Sequence, residues 1–130
     1  MKLDFFPLQH VTYQIIGLCM EVQRTLGYGF SEVIYKDAME IEFISNSLAH
    51  SREKQYSVCY KNQKLPHYFF VDFTCFDQVI VEVKSSEKGI TADHVAQVLN
   101  YLKVTGCEVG LLVNFGRRKL EYQRFILTSD

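Results

Sequence analysis

The sequence predicts an α/β protein with a central mixed β-sheet flanked by helices, two of them at the N-terminus, and three observations carry that expectation. Two N-terminal segments repeat apolar residues at helical spacing. Three β-branched and aromatic segments then follow one another across short turns, and one further helical segment separates them from two last strands. Consecutive strands with short turns imply an antiparallel meander. The helix after them is a crossover that can return the next strand parallel to an earlier one. A sheet of this kind buries its apolar faces under helices.

The first helix is expected from about Leu8 to Leu26, with Val11, Ile15, Leu18 and Val22 at helical spacing and Gln14, Glu21 and Gln23 elsewhere on its surface. Gly27 ends it, and Gly27-Tyr28-Gly29 makes a short link. Ser31 is a good N-cap for a second helix running to about Ser47, whose core stripe reads as Ile34, Ala38, Ile41 and Ile44 or Ser45. Strands follow at Gln55–Tyr60 and His67–Phe76 around a turn at Asn62-Gln63-Lys64. Asp77-Gln78 breaks the second, and Val79–Lys84 is the third. Ser85–Ile90 is polar and reads as a loop. Thr91 caps a third helix to about Val104, burying Val95, Val98, Leu99 and Leu102, with Gly106 past its end. The last strands are Val109–Asn114 and, after Gly116, about Leu120 to Leu127.

A chain of 130 residues, 48% hydrophobic and 22% charged, has the size and composition of one globular domain, here taken as residues 1–130. No apolar run approaches the roughly 20 residues of a membrane helix. Met1–Pro7 lacks the pattern of a secretory leader, so a cytoplasmic protein without membrane contact is expected. The cysteines Cys19, Cys59, Cys75 and Cys107 are scattered singly among apolar neighbours and read as reduced core or near-core thiols, not zinc ligands. The net charge is −1, although Arg117, Arg118, Lys119 and Arg124 gather near the C-terminus. This composition speaks against a strong stand-alone DNA binder and leaves room for a local basic patch.

The chemistry concentrates on two strands. Alternation sets Val79, Val81 and Val83 on one face of the third strand and Ile80, Glu82 and Lys84 on the other. A carboxylate and a lysine inside an apolar strand are rarely buried unless paired or working. Asp72, between Val71 and Phe73, is a further charge in an apolar context. Hard carboxylate oxygens suit Mg²⁺, with water and phosphate completing its shell, and a neighbouring lysine can orient water or balance charge. Register supplies a test. A two-residue loop at Asp77-Gln78 would turn Asp72 to the face opposite Glu82. A three-residue loop of Phe76-Asp77-Gln78, or a bulge, would set the two carboxylates facing each other. His94, Gln97 and Tyr101 form a separate face of the third helix, and Glu32 opens the second. Plainer readings exist. Glu82 and Lys84 could be an ion pair on an exposed strand, Glu32 a first-turn acid, and Gln97 and Tyr101 solvent-facing residues.

The stretch Gly29-Phe30-Ser31-Glu32-Val33-Ile34-Tyr35 matches the G-x-x-E-x-x-Y signature of the bacterial and archaeal GxxExxY proteins. The resemblance continues through Asp72, Val79–Lys84, His94–Gln97, Leu99–Leu102, Thr105-Gly106 and Gly110–Gly116, and spans about Ile15 to Phe125. It implies the restriction-endonuclease-like core of the PD-(D/E)XK nuclease superfamily. It further implies a nuclease dependent on Mg²⁺ or Mn²⁺. In that scheme Asp72 and Glu82 bind the metal, Glu32 completes or supports its shell, and Lys84 assists the attacking water. Gln97 and Tyr101 resemble the Q-x-x-x-Y element of related nucleases and would contact the substrate backbone or orient the lysine. Val71 stands where that pattern often has proline, a change that touches no ligand. Nucleic acid, DNA before RNA, is the implied partner, and by analogy a homodimer would present more surface than one short chain. The alternative is a nuclease fold kept as a non-catalytic binding or oligomerisation module.

Overall fold

The structure is a computed structural model describing residues 7–127; Met1–Phe6, on which the reading of the N-terminus mostly rests, lie outside the described residues. The elements are α1 (Gln9–Leu26), α2 (Glu32–Ser45), β1 (His50–Tyr60), β2 (Gln63–Cys75), β3 (Val79–Lys84), α3 (Ala92–Thr105), β4 (Val109–Asn114) and β5 (Glu121–Ile126). They build a five-stranded sheet in the order β1-β2-β3-β4-β5. Its pairs are antiparallel except β3 with β4, which the α3 crossover makes parallel. The expected mixed α/β sheet is therefore present.

Each face of the sheet carries its own core. The odd-numbered residues Val79, Val81, Val83, Val109, Leu111 and Val113 pack under α1 and α2. On the other face Ile80 and Leu112 meet Val98 and Leu102 of α3. Gly110 lies under α3 because no side chain fits there: an added Cβ would stand 2.7 Å from Val98 Cγ1. Strands buried on both sides read as continuous apolar runs, which explains why β3 and β4 match their expected limits. The caps of α3 are also as expected. The Thr91 hydroxyl accepts from the His94 N–H, the His94 ring accepts from the Thr91 N–H, and Gly106 takes the left-handed conformation after the helix.

Two expectations are corrected. The stripe that α2 buries is Tyr35, Met39 and Phe43, whereas Ile34, Ile41 and Ile44 are exposed. The aromatic stripe wins because it has specific partners. Tyr35 stacks on Phe115 with ring centroids 4.3 Å apart, its hydroxyl donates to Gly27 O at 2.7 Å, and Phe43 packs edge-on against Phe73. Second, β1 and β2 are much longer than expected. Their turn is Lys61-Asn62, both with left-handed backbone (φ 49° and 66°), the geometry of a two-residue hairpin loop. Pro66 sits in a register shift between the pairs Ser57↔Tyr68 and Cys59↔Lys64, where no ladder donor is needed. Of the four free cysteines, Cys19, Cys75 and Cys107 are buried, and Cys59, on this hairpin, is exposed.

Candidate active site

The register of β2 on β3 decides whether the charged residues meet. Phe73 pairs with Val81, Thr74 with Ile80 and Cys75 with Val79, so the loop is the three-residue Phe76-Asp77-Gln78. Phe76 and Asp77 both take left-handed conformations, and the Gln78 N–H donates to Cys75 O. Continuing that register brings Asp72 opposite Glu82. There the ordinary ladder gives way to side chains. The Asp72 N–H donates to Glu82 Oε2 at 2.9 Å, and the Val83 N–H donates to Asp72 Oδ2 at 2.8 Å. Each carboxylate thus satisfies a backbone donor of the other strand. Across β1, Glu53, the residue facing Asp72 in register, has φ 56°. The inward alternation of β2 also breaks here, Val71 packing with the α3 core and Phe73 with the α1/α2 core.

Burial makes Glu82 the most perturbed group of the site. It is 4% exposed, and desolvation first, with the charge of Asp72 second, pushes its carboxyl up to about 8. The Asp72 N–H and the ammoniums of Lys84 and Lys36 oppose that rise. Lys84 does not pair with Glu82. Its Nζ donates to Gln97 Oε1 at 2.9 Å, and Gln97 Nε2 donates to the Tyr101 hydroxyl at 3.2 Å. The Tyr101 ring in turn stacks on Phe69, which stacks on Tyr56. Burial raises the Tyr101 hydroxyl, and the charges of Glu82 and Asp72 raise it further. An exposed Glu82–Lys84 ion pair and a solvent-facing Gln97–Tyr101 pair are both excluded by these contacts.

Of the six residues to which the resemblance gives a role, Asp72 and Glu82 therefore form one linked pair, and Lys84, Gln97 and Tyr101 a hydrogen-bonded chain that acts on it through charge. Glu32 stands apart. It is the exposed first residue of α2 and makes no side-chain hydrogen bond among the described residues. It is still near: Ser85 Oγ donates to Phe30 O, which ties the link before α2 to the end of β3. The charge of Glu32 also acts on His94, where burial first and then Lys84 lower the imidazole pKa and Glu32 works against them. Among the described residues no three acidic, histidine or cysteine side chains converge as a ready-made metal site.

Two members of the site were not legible in the sequence. Lys36 Nζ donates to Asp72 Oδ1 at 3.1 Å and to Glu53 Oε2 at 2.5 Å. Burial works to lower the Lys36 pKa, but hydrogen bonds to Glu53 and Asp72 overcome it and hold the ammonium above its ordinary value. The signal available was its place one turn after Glu32 and directly after Tyr35. Glu53 gave no signal, because its position depends on the distortion in β1. The donor set nevertheless suits a hard divalent cation, since Asp72 and Glu82 offer carboxylate oxygens from adjacent strands.

The comparisons with known proteins agree with this architecture. The model of the PD-(D/E)XK nuclease superfamily matches residues 9–125. Among solved structures, the crystal structure of SSO0001 superposes with a TM-score of 0.58 at 19% identity, covering 75% of this chain and 50% of that one, a likeness of fold. No curated protein matches the chain. With the match running across nearly all described residues and the acidic pair, lysine and glutamine–tyrosine face gathered at the splay of β2 and β3, the chain belongs to the PD-(D/E)XK nuclease superfamily.

Proposed function

We propose that the protein is a divalent-metal-dependent nuclease that hydrolyses phosphodiester bonds of nucleic acid, DNA before RNA. The observation that carries this reading is the reciprocal link between Asp72 and Glu82, with Lys84 held beside it by Gln97. Asp72 and Glu82 would hold Mg²⁺ or Mn²⁺, and Glu32, near the same strand end, would support its outer shell. The metal, when bound, supplies an activated water and charge stabilisation at phosphorus. Lys84 positions the attacking water or offsets charge on the phosphate. Gln97 fixes where the ammonium points, and Tyr101 fixes Gln97 through its hydroxyl. Burial and the charge of Asp72 favour the protonated form of Glu82 in the metal-free chain, so metal binding there near neutral pH is expected to release a proton.

Titration calorimetry with Mn²⁺, paired with cleavage of labelled DNA and RNA, tests the reading. The wild type is expected to bind the ion and cut, and Asp72→Asn and Glu82→Gln each to lose both. Metal-dependent cutting that survives in both variants would sink the assignment. A second reading, a nuclease fold retained as a binding module, is favoured by one observation: Lys36 already neutralises Asp72. It predicts no heat with Mn²⁺ and no cleavage from the wild type.

A further inference from the structure

The β1–β2 hairpin does more than border the sheet. Pairing of β2 with β3 reaches only to Phe73, while pairing with β1 continues to Tyr60↔Gln63. Lys54–Tyr60 of β1 and Gln63–Val71 of β2 thus leave the sheet as a two-stranded ribbon, on the order of 25 Å long at ordinary strand rise. From Lys54 to Val71 this segment carries Lys54, Lys61, Lys64 and His67 and no acidic residue, in a chain whose net charge is −1. Lys54 approaches Asp77, but Lys61 and Lys64 make no ion pair among the described residues.

Aromatic rings interleave with these charges. Tyr60, Tyr68 and Phe70 are 61%, 52% and 51% exposed. Lys61 lies over the Tyr60 ring and Lys64 over the Tyr68 ring. Along β2, Lys64, Tyr68 and Phe70 fall on one face by alternation, and that face runs up to the break in alternation at Asp72, two residues beyond Phe70. The residues paired with Phe70 and Tyr68 are Gln55 and Ser57, which offer those rings no apolar cover. The opposite face of the ribbon is already used: Phe69 and Tyr56 stack toward Tyr101 and fix the ribbon on α3 beside the site. Exposed rings interleaved with ammoniums that no carboxylate neutralises fit a polymer with flat bases and a charged backbone, whose phosphates and bases would take over the contacts Lys61 and Lys64 now make with Tyr60 and Tyr68.

We propose that the ribbon is a nucleic-acid-binding arm that holds a single strand, with bases on Tyr68 and Phe70 and phosphates on Lys61 and Lys64, and leads it toward Asp72. The inference rests on the nuclease reading for what happens at Asp72, but binding by the arm is measured without catalysis. Fluorescence anisotropy with a labelled oligothymidylate of about 20 nucleotides in EDTA reads it directly. Lys61→Glu with Lys64→Glu is expected to lower affinity at least tenfold and to flatten the dependence of log affinity on log salt by about 1.4. Tyr68→Ala with Phe70→Ala should lower affinity by roughly tenfold or more. The chain contains no tryptophan, so Tyr68→Trp places a single indole whose fluorescence is expected to be quenched by the oligonucleotide. That variant also serves if the alanine pair unfolds. Duplex of the same length should bind more weakly than the single strand.

Unchanged affinity in the folded lysine variant, an unquenched indole, or a wild type that does not bind the oligonucleotide would each overturn the proposal. A monomer–dimer equilibrium that responds to these substitutions while oligonucleotide affinity does not would make the ribbon an interface between copies instead. Mn²⁺ calorimetry on the same variants separates the two readings. Ribbon substitutions should leave ion binding intact, and failure of the metal site in the wild type would count against the nuclease and not the arm.

Discussion

Glu82 and Lys36 show how far single residues here are governed by what surrounds them. The folded pKa of Glu82, about 8, lies above its ordinary 4.5. Below about 4.5 the carboxyl is protonated in folded and unfolded chains alike, and this group takes nothing from stability. As pH rises the unfolded chain ionises first and stability falls, until the folded carboxyl ionises above about 8 and the loss is complete. Glu82→Gln should therefore raise the melting temperature of the metal-free protein near pH 9 and leave it nearly unchanged near pH 4, read by thermal melts in EDTA across that range. Lys36 is the complementary case. Replacing it by Met leaves Asp72 and Glu53 facing each other without a counter-charge. Lys36→Met should cost about 1–3 kcal/mol in urea unfolding without metal. The same variant should bind Mn²⁺ more tightly in calorimetry, because the ion no longer competes with an ammonium for Asp72.

Elements set which of these residues can meet. The three-residue loop at Phe76–Gln78 fixes the parity of β2 against β3, and one residue fewer would turn Asp72 away from Glu82. The α1–α2 link is fixed by Tyr35, whose hydroxyl donates to Gly27 O and accepts from the Phe30 N–H while its ring lies on Phe115. The G-x-x-E-x-x-Y stretch thus has a structural meaning: its tyrosine holds the turn that presents Glu32 at the start of α2. Tyr35→Phe should destabilise the protein by about 1 kcal/mol, measured by urea unfolding, since the Gly27 carbonyl loses its partner at a partly buried site. Hydrogen exchange should show faster opening of the Gly27–Phe30 amides in that variant.

At the scale of the whole molecule, a sheet with a core on each face leaves α2 with one buried stripe and one bare one. Phe43→Ala should cost about 3–5 kcal/mol in unfolding, whereas Ile41→Glu, on the exposed stripe, should change stability by less than about 0.5 kcal/mol. That contrast checks the orientation of α2 and hence the approach of Lys36 to Asp72. Among the described residues no helix is long and apolar enough to cross a membrane. The chain spans half the length of the SSO0001 structure it resembles. Its superfamily membership, in contrast, rests on a match across residues 9–125.

Periodicity and alternation by themselves determined much of this protein. They gave the element order, the parallel return of β4, the limits of β3 and β4, and the shared face of Glu82 and Lys84, because a sheet buried on both sides imposes those patterns locally. They also narrowed the meeting of Asp72 with Glu82 to one question of loop length. Tertiary structure alone decided the rest. Two apolar stripes compete on α2, and only packing against Phe115 and Phe73 chooses between them. The reach of the β1–β2 ribbon depends on a positive-φ turn and on a bulge that accommodates Pro66. The cation held by Asp72 comes from residues 36 positions apart, and no local pattern records a contact made only when helix and strand pack.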